Sequence, residues 1–214
     1  EKDYMNPIEQ CEQLVKEVYM HFDASHDFQH IERVRKNAFD IADSEPSANR
    51  EIIELAVLLH DVSDPKYSTE EKLEEERIIK QLNLSDEKIA HVKEVIKAVS
   101  FSGGHEVEAK TIEAKIVRDA DRLDAIGAVG IARTFAFGGA KGRLLYDASE
   151  TPRDNMSVEE YRTKETASVT HFYEKLLKLS EGMQTKKGKE LAVERHAFME
   201  LFLQNLRKET GEQL

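Results

Sequence analysis

Apolar residues recur along this chain at the three- and four-residue spacing of amphipathic helices, and nowhere is the two-residue alternation of a half-buried strand sustained. Residues 5 to 22 carry Ile8, Cys11, Leu14, Val15, Val18 and Met20 at near-helical spacing. A second helix is predicted to start at Ser25 or Asp27 as N-cap and to run to Ser44, with His30, Val34, Ala38 and Ile41 near one face. Pro46 breaks the chain before a third helix, Glu51 to His60. The segment 61–69, with Pro65, reads as a loop, Glu70 to Gln81 as a charged helix, and Ser85 or Asp86 caps another that ends near Ser100. Phe101 to His105 is a predicted loop, followed by one helix over Glu108 to Phe137 whose small residues from Ala125 to Ala132 permit close packing. Gly138 to Asn155, with three glycines and Pro152, is the longest predicted irregular segment, and helices over Val158–Leu179 and Lys186–Lys208 finish the chain. No internal repeat is visible, and the predicted fold class is all-α.

A length of 214 residues fits a single domain, with a helical core over 5–135 and the loop and C-terminal helices of 138–214 packed on it. Hydrophobic residues at 40% and charged residues at 34% give the balance of a soluble globular chain, not a disordered one. The net charge of −11 repels a nucleic-acid backbone, so no stable nucleic-acid partner is expected and a nucleotide or other small phosphate ester is the better candidate. A bound cation supplies positive charge locally where such phosphates would sit. Cys11 is the only cysteine and cannot form an intrachain disulfide. The aliphatic run near the motifs that includes Ala56 to Leu59 is far short of a membrane span, and no signal-peptide pattern is seen. The expectation is a cytoplasmic protein without a membrane partner, whose oligomeric state, homodimer included, stays open.

Chemistry concentrates in three places. His60-Asp61 closes the apolar stretch Glu51 to Leu59, His30 lies upstream, and Asp119, Asp121 and Asp124 cluster downstream. Imidazoles with hard carboxylate oxygens suit a divalent ion such as Mn, Fe, Zn, Ni or Co better than a calcium cage built from oxygens alone. An ion so held polarises a phosphoryl oxygen and acidifies a water. The competing reading makes His60 a favourable partner of the helix C-terminus and Asp61 a solvated turn residue. His26 and His30 share a helical face, and a helix-borne His-x-x-x-His pair can itself bind metal. The zinc metalloproteases place a glutamate after the first histidine, where this chain has Asp27. Just past the His-Asp pair, Asp64 is a candidate to orient a water or shuttle a proton and Lys66 to neutralise phosphate charge; the alternative is ordinary loop solvation. Arg33, Lys141 and the glycine-flanked His105 are candidate substrate contacts, while Arg122, Arg133 and Arg143 read as surface pairs. His171 and His196 read as packing or interface residues, and Phe172, Tyr173, Leu176, Leu177, Phe198, Leu201 and Phe202 as core.

The order His30, His60-Asp61, Asp121 resembles the signature of the HD-domain metal-dependent phosphohydrolases. The stretches around it, residues 26–34, 58–66 and 116–127, are similar to small stand-alone bacterial members, and the likeness continues through Ala136–Gly139 and His171–Leu176. The resemblance implies His30 over His26 as a ligand beside His60, Asp61 and Asp121, with His26, Asp27, Asp119 and Asp124 in supporting roles. It implies one divalent ion, manganese first, with Fe, Ni, Co, Zn or Mg as alternatives, because Ser100 stands near where two-metal members carry a histidine. It also implies a nucleotide substrate, with cleavage of a nucleoside triphosphate to monophosphate and pyrophosphate as first choice. The alternatives are a nucleoside 5′-monophosphate phosphatase and a non-catalytic module that binds metal or nucleotide.

Overall fold

The computed structural model describes residues 6–20, 27–62, 73–99, 107–154 and 165–214. Among these residues the regular structure is helical and no strand occurs, as the apolar spacing requires. The helices are α1 (Pro7–Tyr19), α2 (Phe28–Ala42), α3 (Arg50–Leu59), α4 (Leu73–Gln81), α5 (Asp86–Val99), α6 (Ile112–Leu123), α7 (Gly127–Ala140) and α8 (Ser168–Glu174), then a 3-10 helix, Leu176–Gly182, and α9 (Lys186–Thr210).

Polar side chains set where they begin. Asn6, Asp27 and Asn49 accept from the N–H groups of Ile8, His30 and Ile52, and Ser85, Thr111 and Thr185 do the same for α5, α6 and α9. Each bond satisfies a donor that helix geometry leaves without a partner, a contribution of about 1 kcal/mol. Asp27 is thus the cap of α2, while Ser25 lies outside the described residues.

The chain divides into two compact units, residues 1–100 with 107–120 and residues 101–106 with 121–214, the division falling inside α6. In the first, α3 buries Ile52, Ile53 and all of 55–59, because α1, α2 and α5 pack around it. Each Leu or Ile fully removed from water there contributes about 1.5–3 kcal/mol. Tyr19 pins α1 to the end of α3 by donating its hydroxyl to the Leu58 carbonyl at 3.1 Å. Against this core α2 lays the stripe His30, Ile31, Val34, Asn37, Ala38, Ile41 and Ala42, in which His30 and Asn37 are the polar members.

In the second unit α9 packs on α7 and on the 3-10 helix. Phe135, Phe172 and Phe202 form its aromatic centre, with ring centroids 5.7 to 6.0 Å apart. Phe198 and Leu201, expected in the core, are 49% and 52% exposed, because α9 buries its Gly188, Ala192, Met199 and Leu203 side instead. The helix expected over Val158–Leu179 is, within 165–179, the short α8 and a 3-10 turn; residues 155–164 lie outside the described residues.

The predicted single helix over 108–137 is two helices. After Asp121 the N–H groups of Asp124, Ala125 and Ile126 turn back to the carbonyls three residues earlier, tightening and ending α6. Gly127 then takes φ +74°, a left-handed conformation that side chains rarely adopt, and Gly130 lets the Ala125 carbonyl come within 2.3 Å of where a Cβ would stand. A run of small residues that read as helix packing is therefore a corner, and α7 extends to Ala140 into the segment expected to be irregular.

Candidate metal centre

Three helices supply the site. α2 carries His30 in its first turn, where the Asp27 cap holds the His30 N–H at 3.0 Å and the residue is 2% exposed. α3 ends at Leu59, so His60 is its C-cap and Asp61 follows in the turn, which lets two adjacent residues approach one point. α6 carries Asp121 in its last turn.

His30, His60 and Asp121 each offer one ligand atom, and these atoms lie within 4.8 Å of one another. The two imidazole centroids are 5.9 Å apart. His60 Nδ1 sits 2.7 Å from the Val57 carbonyl, and because a carbonyl oxygen only accepts, Nδ1 carries the proton and Nε2 is left with the lone pair that a metal needs. Such a bond also fixes the ring's orientation, as backbone carbonyls do for metal-ligating histidines generally.

Asp61 Oδ2 stands 3.4 Å from His30 Nε2 and 3.5 Å from His60 Nε2. A charge-assisted N–H···O bond closes to about 2.7–2.9 Å. Two ligand atoms each about 2.1 Å from a shared ion stand about 3.4 Å apart at the tetrahedral angle and about 3.0 Å apart at a right angle. The observed spacing is that of ligands around a common cation more than that of hydrogen-bonded partners. Two imidazole nitrogens and the Asp121 carboxylate, with Asp61 beside both imidazoles, fit a borderline divalent ion.

The remaining candidates are placed as follows. Arg33 is half-buried on α2, one turn from His30. Lys141 is the exposed C-cap of α7 in the second unit, its Nζ 5.9 Å above the Phe137 ring, with the Arg143 guanidinium 5.0 Å above the same ring. Asp64, Lys66 and His105 lie outside the described residues, as do His26 and Ser100. Asp119 is fully buried, and Arg133, read from the sequence as a surface pair, reaches the buried Asp124 at 3.2 Å. Two buried residues escaped sequence reasoning. Asn37 donates its side-chain amide to the Ala120 carbonyl at 3.1 Å, and Arg118 donates to the carbonyls of Ala98 and Val107. Only Asn37 left a signal, as a polar residue inside the apolar stripe of α2.

Residues 27–126 match the HD domain family model, a span containing every member of the cluster. The Bacillus subtilis protein YpgQ is 37% identical over 213 residues, covering 96% of each chain. This chain belongs to the HD-domain family. An HD-superfamily hydrolase from Bacillus thuringiensis of known structure is 41% identical, with a TM-score of 0.75 over 96% of this chain and 97% of its own. The crystal structure of YpgQ in complex with ADP aligns with a TM-score of 0.74 at 36% identity, over the same shares. This HD-domain chain is accordingly a metal-dependent phosphohydrolase. None of its described helices is long and apolar enough to cross a membrane.

Proposed function

We infer that the protein hydrolyses nucleoside triphosphates to the monophosphate and pyrophosphate, using one divalent ion held by His30, His60, Asp61 and Asp121. The observation that carries the reading is the convergence of His30, His60 and Asp121 ligand atoms within 4.8 Å, with the Asp61 carboxylate facing both imidazoles. The ion, manganese first, supplies positive charge that polarises a phosphoryl oxygen and acidifies water. The chain's own residues do the rest. Asp64 orients the attacking water and takes its proton, and Lys66 offsets phosphate charge as the bond to the leaving pyrophosphate breaks. Arg33, Lys141 and His105 are proposed phosphate or base contacts. Because the whole chain carries −11, this local positive charge is what lets an anionic substrate approach. A nucleotide as substrate class draws support from the ADP complex of YpgQ, a relative alike over nearly the whole chain.

The test is a panel of nucleoside mono-, di- and triphosphates with manganese in 18O-labelled water, products separated by chromatography. Monophosphate and pyrophosphate appearing together, with the label on one of them, is the expected result. Diphosphate as first product excludes α–β cleavage, release of nucleoside and inorganic phosphate identifies a monophosphatase, and binding without product identifies a non-catalytic module.

A further inference from the structure

The stripe that α2 turns to the core is apolar except at two positions, His30 and Asn37, seven residues apart. Seven residues are two turns, about 10.5 Å along the axis and within about 20° of the same direction, so both side chains leave α2 on one face. His30 is a member of the candidate metal cluster, and Asn37 reaches a different helix. Its Nδ2 donates to the carbonyl of Ala120 at 3.1 Å, and Asn37 and Ala120 are 3% and 0% exposed. The next residue along α6 is Asp121.

That carbonyl lies where α6 changes its bonding. The Asp124 N–H reaches the Asp121 carbonyl at 3.2 Å, the first of three tighter bonds that close α6. Ala120 therefore stands in the last turn of α6, the part of a helix that depends most on partners outside its own ladder. A carboxylate one residue on would lose its place with it. Metal-ligating groups depend on such outer bonds for orientation, and losing one costs about 10–100-fold in metal affinity.

We propose that Asn37 is a positioning residue for the metal centre: by gripping the Ala120 carbonyl from the helix that bears His30, it keeps Asp121 within ligating distance of His30 and His60. One helix thereby holds a ligand directly and, two turns on, sets the place of another. This inference rests on the reading of that cluster as the metal site.

The experiment measures Mn(II) affinity of the full chain by electron paramagnetic resonance of the free ion, with circular dichroism and melting temperature recorded for every variant. Asn37→Leu fills similar volume without a donor, and Asn37→Ala serves as a second variant. Each is expected to weaken Mn(II) binding about 10–100-fold while retaining helicity. Ile41→Ala, on the same buried stripe, is expected to lower the melting temperature and leave Mn(II) affinity within about twofold, since it touches no ligand's support. Wild-type affinity in a folded Asn37 variant overturns the proposal. So does an equal loss of affinity in Ile41→Ala, or failure of both Asn37 variants to fold, since either marks a merely structural role. Asp121→Ala separates the two levels: if it binds Mn(II) like the wild type, the metal reading itself has failed, and this inference with it.

Discussion

At the scale of single residues, the environment of a group decides which form it takes. His171 is pushed down to about 4 by burial first and then by the charges of Lys175 and Arg143, with Glu174 opposing. The unfolded chain therefore takes up a proton on His171 from about pH 6.5 downward while the folded chain resists until about 4. Its contribution to stability is complete above about 6.5 and is lost as pH falls through that window, by at most about 1.4 kcal/mol per pH unit. Urea unfolding at several pH values should show this slope in the wild type and a shallower one in His171→Gln; equal slopes contradict it. Cys11, by contrast, is pushed up to about 12 chiefly by burial, so it packs as a small apolar group and has little thiolate to react. Lys66 tests the proposed division of labour. A protonated lysine cannot be a ligand, so Lys66→Ala should lower turnover several-fold while leaving Mn(II) affinity unchanged. A parallel loss of both would make the lysine's role structural. The cluster of His30, His60, Asp61 and Asp121 could be picked out from residue type and order. The convergence of His30, His60 and Asp121 could not, because His60 is the cap of α3 and Asp121 lies in the last turn of α6, ends that only the folded chain brings near His30.

At the scale of elements, starts were legible and stops less so. Asp27 and Ser85 announce helices through short side chains that take a backbone N–H, a local effect that needs no tertiary context; Asn49 and Thr185 cap α3 and α9 the same way without having been singled out. The break after α6 was not legible, because Ala, Ile, Gly and Val between 125 and 130 satisfy a packed helix as well as a corner; φ +74° at Gly127 decides it. Glycine substitutions distinguish the two roles. Gly127→Ala forces a strained backbone against the Arg195 side chain, 2.9 Å from where its Cβ would stand, and should destabilise by about 1–3 kcal/mol. Gly139→Ala, near the end of α7 with open space around it, should be neutral or stabilise by up to about 1 kcal/mol. Denaturant melts of the two variants read both signs, and a loss in Gly139→Ala or none in Gly127→Ala contradicts the assignment.

At the scale of the molecule, the helices bring His30, His60 and Asp121, remote in sequence, to within 4.8 Å, and on the proposed reading these are ligands that meet through folding. Metal binding is then linked to folding. Mn(II) at a hundredfold excess over its dissociation constant should stabilise the protein by about 2.7 kcal/mol, seen as a rise in the thermal midpoint that His60→Ala abolishes. A rise that persists in His60→Ala would place the ion elsewhere.

The most direct test of the whole account is the rate at which a nucleoside triphosphate is converted by wild type and by His60→Ala at saturating Mn(II), with helicity matched by circular dichroism. The wild type should form monophosphate and pyrophosphate in equal amounts, and the variant should be slower by about a thousandfold, the loss of several kcal/mol that a metal contributes to such a transition state. A folded His60→Ala protein that turns over at the wild-type rate would contradict it.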